Sequence, residues 1–358
     1  MRRRTIELLL LLSLASCAPL WDVPKTTTTA GPKATVPVDP FLDPNLAFLS
    51  RQTAGNDILL LLPLSGGNAA LGKGILRACI LTCRTDDHRN VDFHVVDTAD
   101  PALEKAKLHD KFKDKNLKAI IGPVFFQEAK QYGALFPEVP ILTFSNNLSV
   151  NSDHIVACGI SPQEEVKTLF AFAISRGIDG FLVMLPEGEA GDQVLSCVKN
   201  EAQRHDLEDD LTVVRYVGIS SKDATKCARS SGKKAIFLME PVVNTQKLED
   251  MDVFTLSSSA LSGGARAWND AIFAFAGGPN QAEFSEKYRR IFGKNPTILD
   301  IIGHDLMEAV GQSVTNRHSV FEGKYSGCLG NFLIRKRVGL KRRLGVFRFE
   351  NHEMIKLR

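Results

Sequence analysis

The stretch "DILLLLP" (residues 57–63) decides how the rest of the chain is read. A strand with one face in water alternates apolar and polar residues. A run that is apolar at every position suits a strand covered on both faces, the condition of a parallel sheet sandwiched between helices. Directly after it, "NAALGKGILRACILTC" (68–83) carries apolar residues at helical spacing. Strand followed by helix is half of a βαβ unit, in which the helix carries the chain back for the next parallel strand.

The alternation continues outward. "VDFHVVD" (91–97), "KAIIGP" (118–123) and "VPILTFS" (139–145) read as strands, with helices over 101–115 and 126–136 between them. After a break around 154–162 the pattern restarts with a helix over 163–176, strands over 180–186, 211–217 and 233–240, and a helix over 191–205. Segments 271–277, 282–293 and 298–314 complete it. The fold expected is α/β, two lobes in sequence, each a mostly parallel sheet flanked by helices with right-handed crossovers. The end is β-like: 331–337 and 343–350 suggest a hairpin, with "MIKLR" (354–358) as a possible third strand.

The N-terminus differs. "MRRRTIELLLLLSLASC" has a basic head, a short apolar core and small residues, the layout of an export signal. Its apolar core from Leu8 to Leu14 is far too short for a bilayer of about 30 Å, which excludes an uncleaved membrane helix. Leu14-Ala15-Ser16-Cys17 resembles the lipobox of bacterial lipoproteins, which implies cleavage of residues 1–16 and acylation of Cys17; an ordinary secretory signal is the alternative. Residues 17–56 carry Pro19, Pro24, Pro32, Pro37, Pro40 and Pro44 and a threonine run. With little apolar material to offset its ordering entropy, this segment reads as a tether between membrane and body. Ala18, in place of the aspartate that marks inner-membrane retention in some bacteria, favours the outer membrane of a Gram-negative cell. An exported protein also makes nucleic acid an unlikely partner.

The formal charge of the whole chain is +3, so no global electrostatic partner is implied. Locally, residues 331–358 hold nine basic groups against Glu350 and Glu353. Arg335, Arg337, Lys341, Arg342 and Arg343 are candidates for contact with an anionic surface such as phospholipid headgroups, cell-wall polymer or an acidic partner; a sheet edge guarded by charge is the plainer reading. Cys79 and Cys83, four apart on a helix, read as small buried hydrophobes. No Gly-x-Ser-x-Gly, His-Glu-x-x-His or paired Cys-x-x-Cys pattern occurs. The expectation is therefore a non-enzyme with no cofactor and no metal.

Taken in order, "LLPLSGGNAALGKGI", "AIIGPVF" (119–125), "VPILTFSNN" (139–147) and "FSEKYRRIFGKNPTILDIIGHDLMEAV" (284–310) resemble the type I periplasmic-binding-protein superfamily in its leucine/isoleucine/valine-receptor branch. The lipobox, the tether and the Arg-bearing close "GKYSGCLGNFLIRKRVGLKRRLGVFRFENHEMIKL" (323–357) are similar to the penicillin-binding-protein activators, lipoproteins that stimulate peptidoglycan synthases. The resemblance implies three crossovers, with one lobe of about 57–156 plus 272–315 and another of about 157–271 plus 316–358.

It also implies a cleft. Receptors of this kind clamp an amino acid with hydroxyls and amides on its carboxylate and an acid on its ammonium. The candidates here are Ser65, Gly66, Gly67, Val124, Phe125, Ser145, Asn146 and Gly191. Where receptors offer serines after Gly122-Pro123, this chain has Val124 and Phe125; where they place an aromatic-glycine pair, it has Ala190-Gly191. A degenerate amino-acid site is the working expectation. "LSGGN" (64–68) lacks the spacing and the lysine of a phosphate loop and reads as a structural turn. Three functions remain open: an activator that presents a lobe surface to a peptidoglycan synthase, a solute receptor delivering a small polar ligand to an ABC permease and, more weakly, a structural envelope lipoprotein.

Overall fold

The computed structural model describes residues 55–83, 91–243, 248, 250–351 and 353–358. Cys17 and the tether up to residue 54 lie outside them. No helix among the described residues is long and apolar enough to cross a membrane.

Strand β1 (Asp57–Leu62) is buried at every position and lies between β2 (Asp92–Asp97) and β3 (Leu117–Ile121), parallel to both. Its two faces explain the unbroken apolar run. Ile58, Leu60 and Leu62 pack with Ile75, Cys79 and Leu306, from helices α1 (Ala69–Cys83) and α9 (Ile298–Thr315). Leu59 and Leu61 pack with Leu108, Phe112, Ala129 and Tyr132, from α2 (Lys105–Phe112) and α3 (Phe126–Leu135). Strands β4 (Ile141–Thr143) and β5 (Ile155–Ala157) extend the sheet to the order β2-β1-β3-β4-β5, parallel throughout.

The second sheet has the order β15-β14-β10-β9-β8-β6-β7. Its parallel part comprises β6 (Phe181–Pro186), β7 (Leu211–Tyr216), β8 (Ala235–Leu238), β9 (Asp252–Thr255) and β10 (Ala271–Phe275). Helices α4 (Pro162–Ser175) and α5 (Glu189–Arg204) cover one face, where Phe170 stacks on Phe181 with centroids 4.5 Å apart. Helices α6 (Ser221–Ser230), α7 (Ser257–Ala267) and α8 (Gln281–Phe292) fill the remaining connections. A third, small antiparallel sheet is formed by β11 (Lys324–Gly327), β12 (Gly330–Arg335) and β13 (Gly339–Arg342). The chain then re-enters the second sheet as β14 (Gly345–Glu350), antiparallel to β10, and closes with β15 (Glu353–Lys356).

Three expectations change. The segment 331–337 does not pair with 343–350: β12 pairs with β11 and β13, while β14 pairs with β10 and β15. The four residues of β13 supply the local partner that the hairpin reading gave to β14. Ile272–Phe275 belongs to the second sheet, so the return to the first lobe comes after Phe275. Residues 324–342 also do not join that second sheet. They dock on β5 and α9 of the first lobe, where the Arg337 N–H donates to the Ser152 carbonyl and Gly339 (φ 109°) lies against Asn151.

Candidate functional site

In a parallel sheet the ligand-binding crevice lies beyond the carboxyl ends of the strands. In the first lobe that rim is built from the segments after β1, β2, β3 and β4. The polypeptide leaves β1 through Leu64 and Ser65, then makes a short 3-10 turn (Gly66–Asn68) ahead of α1. Gly66 and Gly67 are exposed, and Gly66 takes a positive φ of 65°. The amides of Leu64 and Ser65 donate to Asp97 Oδ1 at 2.7 and 3.3 Å, and Ala99 N–H joins them at 3.0 Å. Partial burial acts to raise the Asp97 carboxyl, but hydrogen bonds from the Ser65 hydroxyl and these amides hold it below the usual carboxylate range. The chain's own carboxylate thus occupies donors of the kind that a ligand's carboxylate would need.

The other first-lobe candidates divide between core and rim. Val124 is buried in the apolar core, whereas Phe125 precedes α3 and is 39% exposed. Ser145 is buried and its hydroxyl accepts the Asn147 amide at 3.1 Å; Asn146 beside it is exposed.

On the second lobe, Gly191 is a packing residue. A Cβ there would stand 2.0 Å from the Pro186 carbonyl oxygen, because the first turn of α5 lies directly against the end of β6. Arg215 donates to that same oxygen at 2.7 Å and to Asp192 at 2.6 Å, closing the corner. Ser220 caps α6 by accepting the Asp223 amide, and its hydroxyl donates to the Asp223 carboxylate. Tyr216 donates to Glu240 at 3.0 Å. Around both rims most of these polar groups bond to one another, while Thr98 Oγ1 after β2 and Arg215 Nε are buried without a hydrogen-bond partner among the described residues.

The basic segment is not one free surface. Arg335 donates to the Phe321 carbonyl at 2.7 Å, Arg337 forms a two-pronged pair with Asp153, and Lys341 pairs with Glu164. Arg342 is 5% exposed and lies 3.4 Å from the wholly buried Asp305, over the ring of Phe332. Asp305 also accepts the amides of Cys328 and Leu329 at 2.6 and 3.2 Å. This buried cluster ties α9 to both ends of the third sheet, and no sequence motif pointed to it. Of the five candidates, Arg343 is exposed and makes no ion pair among the described residues.

His304, Asp305 and Cys328 bring three ligand types within 4.8 Å of one another. The Thr82 hydroxyl donates to the Ala78 carbonyl, so His304 Nδ1–H donates to Thr82 Oγ1 at 2.5 Å; the His304 ring stacks on Phe284, and Asp305 serves Arg342 and two amides. Asp305 is thereby committed to the third sheet. Burial, with Asp305 beside it, pushes the Cys328 thiol up to about 12. The six cysteines from Cys79 to Cys328 are all free thiols, and Cys79 packs against Gly303 of α9 as the small-hydrophobe reading expects.

No curated protein sequence matches this one. Among solved structures, the chain is similar to the leucine-binding protein LivK from Thermotoga maritima (TM-score 0.60, 17% identity, covering 85% of this chain and 98% of that one). It is similar also to the C-domain of LpoA (YraM) from Haemophilus influenzae, described as a regulator of PBP1A (TM-score 0.63, 16% identity, 85% and 100% covered). Full-length LpoA from the same organism gives a TM-score of 0.67 at 17% identity, covering 88% of this chain but 62% of that one. The shared feature at such identities is the fold, the two-lobed type I periplasmic-binding-protein architecture. A family match runs through residues 44–235, from the tether across the first sheet into β8, and the chain belongs to the family described as LppC putative lipoprotein.

Proposed function

We propose that the chain is a lipid-anchored, non-enzymatic regulator that faces the periplasm from the outer membrane, held by Cys17, and presents a lobe surface to a peptidoglycan synthase. The observation that carries this reading is the state of the first-lobe rim. Amides of Leu64 and Ser65 are taken by Asp97, and the rim around Gly191 is closed by packing. A desolvated amino acid needs several donors for its carboxylate, and a rim whose donors serve the protein itself is poorly suited to a solute receptor. The LpoA C-domain, whose whole length matches, is described as a regulator of PBP1A, which supports the same reading.

The test is reconstitution. The acylated chain is added to a bifunctional penicillin-binding protein acting on lipid-linked precursor, and the rates of glycan polymerisation and cross-linking are followed. Saturable binding with a faster rate is the expected result. An unchanged rate, together with micromolar binding of leucine or another amino acid in calorimetry, would replace the regulator by a receptor serving an ABC permease.

A further inference from the structure

With most of the basic tail engaged internally, its remaining charge gathers in one place. A cavity of about 670 Å³ lies where the third sheet meets the second lobe. Its walls are the first half of α4, the turn at 277–279 after β10, Ser326 and Asn331 of the third sheet, and the strand ends at 343–347 and 356–358. Four cationic side chains line it: Lys167, Arg343, Lys356 and Arg358. Each is exposed and makes no ion pair among the described residues. The one acidic side chain in the lining, Glu164, is held by Lys341.

The cavity shares Ser326, Asn331 and Arg343 with a neighbouring groove of about 490 Å³ over the outward face of the third sheet. There Lys324 and Lys341 flank Leu333 in cross-strand register. With Lys341 paired to Glu164, Lys324 is the cation that this groove adds beyond the cavity mouth.

Four like charges facing one concavity repel each other, and a concave wall focuses their potential onto whatever enters. One carboxylate would neutralise one or two of them. Cations reaching in from α4, from the approach to β14 and from the end of β15 match a ligand with charge at more than one point. The volume is that of a small-molecule site.

We propose that this cavity binds a small ligand carrying at least two anionic groups of the phosphate class. The site is distinct from the interlobe rim, and the inference does not depend on the proposed regulator role.

The probe is sodium pyrophosphate, titrated calorimetrically into the full chain at low ionic strength. Saturable binding is expected. The double variant Lys167→Ala/Arg343→Ala should weaken it at least about tenfold, the scale set by losing charged hydrogen bonds, and Lys356→Glu should weaken it independently. Arg337→Ala removes a charge outside the lining and should leave it unchanged; thermal midpoints of all variants confirm that they fold. Absence of saturable binding, or equal weakening by Arg337→Ala, would overturn the site. Phosphatidylglycerol vesicles that bind where pyrophosphate does not would assign the charge to a membrane surface and overturn it as well.

Discussion

The first-lobe rim and the cavity beside the third sheet use polar residues in opposite ways. On the rim, Leu64 and Ser65 turn their amides onto Asp97, and Ser145 accepts from Asn147. Every one of these bonds is spent on holding loops. In the cavity, Lys167, Arg343, Lys356 and Arg358 stand without an acid among the described residues to pair them. A polar group satisfied inside the chain sets shape, whereas an uncompensated one is available for recognition. The place where the fold suggests a ligand and the place where the charges suggest one are therefore different.

That contrast can be broken most severely at its structural anchor. Asp305→Ala leaves the guanidinium of Arg342 buried and unpaired and deprives the Cys328 and Leu329 amides of their acceptor. A loss of about 3–5 kcal/mol is expected in urea unfolding, with Asp305→Asn losing less because it keeps an acceptor; equal stability of Asp305→Ala and wild type would mean that the cluster does not hold the third sheet in place.

A second effect depends on pH. Burial pushes the Glu165 carboxyl up to about 8, against the opposing hydrogen bond from the Ser257 amide. An acid whose folded value is raised contributes stability that is complete below its ordinary value and lost as pH rises toward the folded one. Glu165→Gln keeps an acceptor for Ser257 without titrating. The denaturation midpoint of the variant should therefore gain on wild type between about pH 5 and about pH 9, and parallel profiles would show that Glu165 is already ionised in the fold.

Smaller changes address the rim and the exposed pairs. Gly191→Ala forces a methyl against the Pro186 carbonyl and should cost about 1–3 kcal/mol as an overpacked contact. A neutral result in thermal melting would return Gly191 to the list of open cleft residues. Arg337→Ala, which removes a fully exposed pair with Asp153, should leave the melting midpoint unchanged within error; a measurable drop would place that pair among the contacts that fix the third sheet.

The sequence reveals the first lobe better than the second. In the first, strands buried on both faces leave apolar runs and helices leave a period, so β1 to β4 and their helices are legible in order. Strand β5 falls inside the stretch 154–162 that reads as a break between the two halves of the pattern. Strand β9 and α7 escape for another reason: "SSSALSGGARA" is rich in serine and glycine, and packing rather than propensity makes it helical. At the end of the chain, the charges of Lys341 and Arg342 conceal β13, because a basic pair reads as a turn until Asp305 and Glu164 are seen to receive it. Ser65 and Gly191 were visible as candidates, but their partners Asp97 and Pro186 are matters of three-dimensional approach. The cavity was not legible at all, since Lys167 and Arg343 sit far apart in sequence and meet only when α4 and the approach to β14 share a wall.

The antiparallel insertion of β14 beside β10 also has a consequence for biosynthesis. All five strands of the first sheet are contiguous in sequence, so their pairing can form early, and only the cover supplied by α9 and the third sheet comes from later in the chain. The second sheet must wait. Until α8, α9 and the third sheet have followed, β10 presents an unpaired edge, with Phe273 and Phe275 lacking the aromatic neighbours that Phe347 and Phe349 later supply. Such an edge is the kind that pairs with other chains. A nascent protein halted before Gly345 would thus carry a finished first half and an adhesive second one, and escape from aggregation during export rests on the timely arrival of one six-residue strand.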